Sequence, residues 1–170
     1  MSLIKYNKKR NIKKSGEPSA NVCTRNNREV KNKKSECGRK KKIKKVSDKK
    51  LIFVIHEHHA THLHWDLRLE MDGVLKSWAV PKIPPTEKEI KRLAIQVEDH
   101  PIEYSNFHGK IPEGNYGAGE VKIWDKGNYE LIEKNSKKII IEINGKKLKG
   151  KYCLIKTNYT DKNSWLFFKI

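Results

Sequence analysis

The chain contains 170 residues, with 38 Lys and Arg against 20 Asp and Glu, which gives a formal net charge of +18. Hydrophobic residues make up 36% of the sequence, a low share for a compact domain. Residues 1–50 hold 19 Lys and Arg and 4 Asp and Glu, a balance of +15, whereas residues 51–170 hold 19 and 16, a balance of +3. The sequence therefore predicts a basic N-terminal arm over residues 1–50 and a nearly neutral globular domain over residues 51–170.

Length and patterning exclude several classes of protein. No apolar run approaches the ~20 residues of a membrane span, and the N-terminus lacks the apolar segment of a secretory signal. The chain is too short for a polymerase or a complete ligase. The three cysteines, Cys23, Cys37 and Cys153, show no CxxC spacing, which argues against a disulfide framework and is typical of a reducing compartment. We expect a cytoplasmic monomer with no membrane contact.

The basic arm shows no sustained period of 2 or 3.6 residues between Met1 and Ser47, and it contains the basic run Arg39–Lys45. Low hydrophobicity combined with high charge favours a flexible segment in isolation. Basic clusters of this kind also bind polyanions and become ordered on their partner. A solvated tail and a nucleic-acid-binding arm are both compatible with the sequence.

From residue 51 onward the pattern changes to short β-strands. The predicted strands are Leu51–His56, His62–Glu70, Val74–Val80, Arg92–Asp99, Glu120–Trp124, Tyr129–Ile132, Ile139–Ile143, Lys151–Lys156 and Trp165–Ile170. Asp72-Gly73 predicts a two-residue hairpin turn, and residues 81–91 and 101–119 predict long loops. The segment Asp125-Lys126-Gly127 predicts a connection between two strands. Helical periodicity is weak, so the fold class is all-β, an antiparallel barrel or sandwich.

Histidines are concentrated between His56 and His64, and alternation along the second strand sorts the side chains around them. One face is apolar and the other polar, and the polar set is His62, His64, Asp66, Arg68 and Glu70. The apolar set is predicted to face the core, so the polar row lies on the outside of the sheet.

Imidazole and carboxylate ligands suit Mn²⁺, Fe²⁺, Co²⁺, Ni²⁺ or Zn²⁺. An arginine beside such a metal can bind a phosphate. His58 is a candidate third ligand beside His64 and Asp66. The alternative is an exposed polar face that carries several histidines by chance.

A second polar cluster includes His100, which stands at the end of a predicted strand, and Tyr104 four residues later. Alternation along this strand predicts that His100 shares a face with Arg92, Ala94, Gln96 and Glu98. Alone, a His-Pro pair at a strand end is typical of a surface loop. It gains significance only together with the histidines near the second strand.

Three segments taken together resemble a known family. HEHHATHLHWDLRLEMDGVLKSWAVPKIPP, KRLAIQVEDHPIEY and GKIPEGNYGAGEVKIWDKG resemble the 3′-phosphoesterase domain of bacterial DNA ligase D and its stand-alone archaeal relatives. The likeness extends from about Arg10 to the C-terminus. It implies a closed β-barrel of about eight strands, with an active-site groove on its outer surface.

The resemblance also implies an activity, a cofactor and a partner. Members remove 3′-phosphates and 3′-terminal ribonucleosides from DNA or RNA ends with a divalent metal, typically Mn²⁺. The expected substrates are primer-template 3′ ends in DNA repair by end joining. A separately encoded DNA ligase and polymerase are expected partners, because the motifs of those parts are missing from this sequence.

Site residues follow from the resemblance by motif. The metal ligands are His58, His64 and Asp66; the catalytic group is Arg68, His100, Tyr104, Arg10, Glu17 and Glu98; the substrate-binding group is Lys82, Arg92 and Asn11. Because Arg10 and Glu17 belong to the basic arm, residues 8–18 are expected to pack over the active site, with residues 20–47 flexible. His100 is expected either to offset charge on the phosphate or, if protonated, to act as general acid.

Two departures from the family pattern stand out: Asn11 replaces the usual Asp, and His56 replaces the usual Gln. The first is expected to weaken one catalytic step, and the second to add a stray metal ligand. Residues 115–119 are expected to form a tight turn beside the groove. Two alternative functions remain, a non-catalytic nucleic-acid-binding barrel and a cupin-like metalloenzyme suggested by the pair His62 and His64.

Overall fold

The computed structural model describes residues 3–20, 50–157 and 163–170 of the chain. The flexibility predicted for residues 20–47 concerns a segment that, from residue 21 onward, lies outside the described residues. Two helices, α1 and α2, precede the strands, and the described residues form nine strands, β1 to β9. The helices are α1 Leu3–Lys9 and α2 Ile12–Ser15; the strands are β1 Leu51–His59, β2 Leu63–Met71, β3 Val74–Val80, β4 Lys91–Gln96, β5 Gly109–Ile111, β6 Gly119–Lys134, β7 Lys138–Asn144, β8 Lys149–Lys156 and β9 Ser164–Lys169.

The strands form one antiparallel sheet that closes into a barrel. Neighbouring strands follow the order β1-β2-β3-β4-β9-β8-β7-β6-β5, and pairing of β1 with β6 closes a ring of eight strands. Strand β6 is 16 residues long, which lets it pair with β1 and β5 near its start and with β7 near its end. The predicted all-β fold class and closed antiparallel barrel are confirmed.

The barrel interior is filled by side chains that alternate inward along each strand. On β2, Leu67 and Leu69 are fully buried in the core, as the apolar half of the alternating pattern predicts. The hairpin between β2 and β3 turns at Asp72 and Gly73, whose φ values are 55° and 78°. Positive φ at both positions is the turn that an Asp-Gly pair favours, so this prediction is confirmed.

Residues 3–20, called here the N-terminal strap, pack against the outside of the barrel. Tyr6 is fully buried, and its hydroxyl donates a hydrogen bond to the carbonyl of Pro18 at 2.8 Å. Tyr6 and Ala20 form an apolar cluster with Leu75 and Tyr104 of the barrel. The sequence did not predict α1, because a helix of seven residues has little stability of its own. No helix in the described ranges is long and apolar enough to cross a membrane.

The predicted connection at residues 125–127 is wrong, because β6 continues through it. The buried carboxylate of Asp125 accepts backbone N–H bonds from Lys146, Lys147 and Leu148. The Asp125 side chain therefore stabilises the connection between β7 and β8, and no turn forms at residues 125–127. The loop predicted for residues 101–119 also contains structure, a 3₁₀ helix over Ile102–Asn106 and strand β5.

Of the residues predicted to share a face with His100, Glu98 does so and Ala94 does not. Trp78 pairs with Gln96, and Leu75 forms a bridge with His100. His100 is therefore four residues from Gln96, whereas their partners on β3 are only three residues apart. The extra residue is a bulge, and a bulge reverses the face of the residues that follow it. Ala94 therefore packs in the core, while His100 lies on the outer face.

Candidate active site

A cavity of about 300 Å³ lies on the outer face of the barrel, beneath the N-terminal strap. Its lining includes all the predicted metal and catalytic residues, namely His58, His64, Asp66, Arg68, His100, Tyr104, Arg10, Glu17 and Glu98. The polar row of β2 does face outward, as alternation predicts. It is nevertheless covered, since Asp66 and Arg68 are only 6% and 3% exposed.

Three potential metal ligands converge at one side of this cavity. One ligand atom from each of His58, His64 and Asp66 lies within 4.8 Å of the others. His58 faces His64 directly across the β1–β2 ladder, and Asp66 follows two positions along β2 on the same face. The carboxylate oxygens of Asp66 lie 3.8 Å from His58 Nδ1 and 3.8 Å from His64 Nε2.

Hydrogen bonds fix which ring nitrogen each histidine presents. His58 Nε2 lies 2.9 Å from the carbonyl oxygen of Gly117 and donates to it, which leaves Nδ1 as the lone pair facing Asp66. His64 Nδ1 donates to the carbonyl of His62 at 2.9 Å, which leaves Nε2 facing Asp66. Backbone acceptors commonly orient metal-binding histidines in this way. Burial lowers the pKa of His58 despite the nearby Asp66 carboxylate, so this ring is neutral and able to bind a metal.

The donor set therefore fits a divalent transition metal. Two imidazoles and one carboxylate on three fixed positions leave further coordination sites open toward the cavity. His62 belongs to the HxH pair that suggested a cupin-like enzyme, yet it is absent from the convergent group. His56, the expected stray ligand, is likewise absent from that group. It is fully buried and accepts a hydrogen bond from Arg68 at 3.2 Å.

Arg68 lies at the centre of the polar network. Its guanidinium donates to His56, to Ser77 at 2.9 Å and to Asp66 at 2.9 Å, and it packs 4.6 Å from the ring centre of Tyr104. Burial would raise the pKa of Asp66, but the positive charge of Arg68 outweighs it and holds the pKa below its usual range. The carboxylate is therefore ionised at neutral pH and ready to bind a cation.

His100 is held neutral by its surroundings. It is 1% exposed, and burial together with the charges of Arg68 and Arg10 lowers its pKa well below the usual value. Arg10 Nη2 lies 3.1 Å from His100 Nε2 and donates to it. The opposite nitrogen, Nδ1, then carries the proton and donates to the carbonyl of Glu98 at 3.0 Å, so the tautomer is fixed from both sides.

The N-terminal strap completes the cavity through Arg10. This side chain donates to Glu17 at 3.0 Å and to Glu98 at 2.8 Å, and Tyr104 donates to the same Glu17 oxygen at 3.0 Å. The second oxygen of Glu17, Oε2, is buried and lacks a hydrogen-bond partner among the residues that the structure describes. The strap thus brings both a cation and an open acceptor to the site.

The three predicted substrate-binding residues lie outside the cavity lining. Lys82 is exposed on the connection after β3, and Arg92 donates to the carbonyl of Ile83 at 2.9 Å. Asn11 is exposed at the start of α2, and its side chain makes no capping hydrogen bond. Their proposed contacts with substrate therefore remain predictions.

Three contributors to the site were missed from the sequence. Ser77 joins Arg68 and His100 from β3, and alternation along β3 could have placed it opposite Arg68. Tyr116 and Gly117 come from residues 115–119, called here the glycine-rich loop, for which the sequence predicts only a tight turn. Gly117 has φ of +77°, and a Cβ added there would lie 3.6 Å from His58 Cε1. Its carbonyl accepts the hydrogen bond from His58 Nε2, so the turn lies beside the site and contacts a candidate metal ligand.

The chain is similar to a known protein family and to several known proteins. The family model described as "DNA Ligase D 3'-phosphoesterase domain" matches residues 56–156. A "Multifunctional non-homologous end joining protein LigD" from Pseudomonas aeruginosa is 41% identical over 98% of this chain and 18% of its own length. A "Multifunctional non-homologous end joining DNA repair protein LigD" from Mycobacterium tuberculosis is 50% identical over 62% of this chain and 14% of its own. The chain thus spans less than a fifth of these relatives.

Proposed function

The chain belongs to the family of the DNA ligase D 3′-phosphoesterase domain, and from this premise we propose that it is a metal-dependent phosphoesterase of DNA 3′ ends. It removes 3′-phosphates and 3′-terminal ribonucleosides and leaves 3′-hydroxyl ends. The observation that carries the proposal is the single cavity in which His58, His64 and Asp66 lie beside Arg68. A cation site next to a buried guanidinium is suited to a phosphoryl group.

The donor set supports Mn²⁺ as the cofactor, with Zn²⁺ and Co²⁺ as alternatives. A divalent ion held by His58, His64 and Asp66 would polarise a non-bridging oxygen of the phosphate. Asp66 also keeps Arg68 in place through their 2.9 Å contact. Loss of this carboxylate therefore affects both the metal and the phosphate side of the site.

The protein's own residues bind and orient the phosphoryl group. Arg68 and Arg10 lie on the cavity wall and donate to its oxygens, offsetting the negative charge that grows in the transition state. His100 is neutral in the free protein, and its Nε2 accepts from Arg10. Its first role is accordingly to position Arg10, since the two arginines oppose the protonation that a general acid requires. Tyr104 positions Glu17 through the hydrogen bond that its hydroxyl donates to Glu17 Oε1.

Glu17 supports the second activity, the removal of a terminal ribonucleoside. Its Oε2 atom is buried at the cavity and is without a partner among the described residues. A buried carboxylate oxygen that lacks a donor is unfavourable, and a sugar hydroxyl would supply one. We therefore assign Glu17 to the hydroxyl of the terminal ribose.

The proposed substrates and partners follow from the family. The relatives are non-homologous end-joining proteins, and the chain covers 18% of the Pseudomonas aeruginosa relative. DNA 3′ ends at primer-template junctions are the proposed substrates. A DNA ligase and a polymerase would act on the 3′-hydroxyl that this chain produces.

The test uses a primer-template that ends in a 3′-phosphate. With Mn²⁺ the wild-type protein should convert it to a 3′-hydroxyl end, detected by gel mobility and by extension with a polymerase. EDTA should abolish the conversion. Retained DNA binding without any conversion, under every divalent metal tried, would instead support a non-catalytic nucleic-acid-binding barrel.

A further inference from the structure

A lysine and a tyrosine meet at the mouth of the cavity, and neither is used in the function proposed above. Tyr116 belongs to the cavity lining and is 49% exposed. Lys9, the residue before Arg10 on the strap, places its ammonium 4.7 Å from the centre of the Tyr116 ring. The ammonium also lies 3.4 Å from the Tyr116 hydroxyl, so the pair bridges the strap and the glycine-rich loop.

Lys9 is held in place to a degree that is unusual for a surface lysine. Besides Tyr116, its ammonium contacts Glu98 Oε2 at 3.2 Å, while its side chain remains 43% exposed. An ammonium has three N–H groups, and these two oxygens occupy two of them. Among the residues that the structure describes, no other acceptor contacts this ammonium. Its third N–H and its exposed side are therefore open to an anion from solvent, without the ordering cost that a free lysine would incur.

We propose that Lys9 and Tyr116 form a subsite for the backbone phosphate that lies immediately 5′ of the reacting phosphate. The inference rests on the proposed function, because it needs a polynucleotide end in the cavity. Arg10 and Lys9 are consecutive, so their Cα atoms are about 3.8 Å apart. Arg10 reaches the reacting phosphate inside the cavity, and Lys9 meets the preceding phosphate at the mouth.

This arrangement suits a linear polyanion. A nucleic-acid strand carries one charge per nucleotide, so a strand whose terminal phosphate enters the cavity must bring its next phosphate near the opening. Glu98 holds both cations at once, with Oε1 on Arg10 and Oε2 on Lys9. Two cations held by one carboxylate can therefore bind two successive phosphates. Such a pair would bind the end of a nucleic-acid strand more tightly than an isolated phosphate monoester.

The experiment neutralises each partner of the proposed contact in turn. Lys9→Gln and the wild type are compared on two 3′-phosphate primer-templates, one natural and one with a neutral methylphosphonate at the linkage 5′ of the terminal nucleoside. Dissociation constants are measured in EDTA, where hydrolysis does not interfere. Lys9→Gln should weaken binding of the natural DNA at least about tenfold, the loss of one charge-assisted contact. It should change binding of the methylphosphonate DNA less than about twofold, because the partner is already absent.

Lys8→Gln is the matched control, because it removes the same charge from the same helix at an exposed position. Its effect should be small and equal on both DNAs. Tyr116→Leu should reproduce the selective loss of Lys9→Gln, whereas Tyr116→Phe, which keeps the ring, should lose less. Thermal melting checks that each variant is folded.

The proposed subsite would be overturned if Lys9→Gln weakened binding of the natural DNA and of the methylphosphonate DNA by the same factor. Equal losses for Lys8→Gln and Lys9→Gln would also overturn it, as would a Tyr116→Leu loss that depends on the terminal base and not on the linkage, which would indicate base stacking. Absence of hydrolysis by the wild type with metal would contradict the proposed function but would leave the binding comparison valid.

Discussion

Asp66→Asn is the most informative single change, because the Asp66 carboxylate both pairs with buried Arg68 and belongs to the candidate metal site. It accepts a hydrogen bond from Arg68 at 2.9 Å and belongs to the three-residue metal group. The replacement keeps the shape and removes the charge. Arg68, at 4% side-chain exposure, then loses its counter-charge in a buried position.

Two free-energy changes follow. Breaking a buried ion pair on one side destabilises by about 3–5 kcal/mol, and Arg68 keeps Ser77 and His56 as acceptors. We therefore expect the lower end, about 3 kcal/mol, in metal-free buffer. Metal binding to the folded protein alone adds about 2.7 kcal/mol when the metal concentration is 100 times its dissociation constant. The wild type should show this gain, and Asp66→Asn should show almost none.

Urea unfolding with EDTA and with Mn²⁺ measures both quantities, and hydrolysis of a 3′-phosphate primer should fall to background in the variant. Asp99→Asn is the control, since Asp99 is 3% exposed and contacts Lys76 at 2.8 Å outside the cavity lining. It should lose stability while keeping the Mn²⁺ gain and the activity. An Asp66→Asn protein with the full Mn²⁺ gain would refute the metal assignment, as would an Asp99→Asn protein that loses it.

Three further outcomes are expected. Asn11→Asp should raise removal of a terminal ribonucleoside without changing removal of a 3′-phosphate, because a charge-assisted contact adds ~1.5–3 kcal/mol; equal time courses on both ends for the two proteins would make Asn11 a neutral departure. Deleting residues 21–47 should flatten the dependence of DNA affinity on salt, since each neutralised phosphate adds roughly 0.9 to the slope for a duplex, and an unchanged slope would mean that the segment does not contact DNA. Burial and two arginines lower the pKa of His100. As the pH falls below 6.5, His100 becomes protonated in the unfolded chain but stays neutral in the folded protein. The free energy of unfolding should therefore decrease by up to roughly 1.4 kcal/mol per pH unit. Urea unfolding in EDTA between about pH 7 and 5 should show a shallower slope for His100→Gln, and an equal slope would contradict this explanation.

The sequence by itself determined the features that depend on neighbouring residues. Alternation along β2 separates Leu67 and Leu69 from Asp66 and Arg68, and the structure places the first pair in the core and the second on the outer face. Asp72 and Gly73 form the predicted hairpin turn. Side-chain direction in a strand has a period of two and turn geometry depends on two residues, so both can be predicted without the rest of the fold.

Tertiary structure alone decided how far the site is enclosed and which side chains join it. A bulge between β4 and His100 moves that histidine to the outer face, because one extra residue in a ladder reverses every later side chain. Arg10 reaches Glu98 across 88 positions in the chain, and Asp66 and Arg68 are buried on a face that alternation alone would leave exposed. Burial, ion pairing and pKa values depend on every segment packed around a residue, whereas the period of a strand reports only on the strand itself.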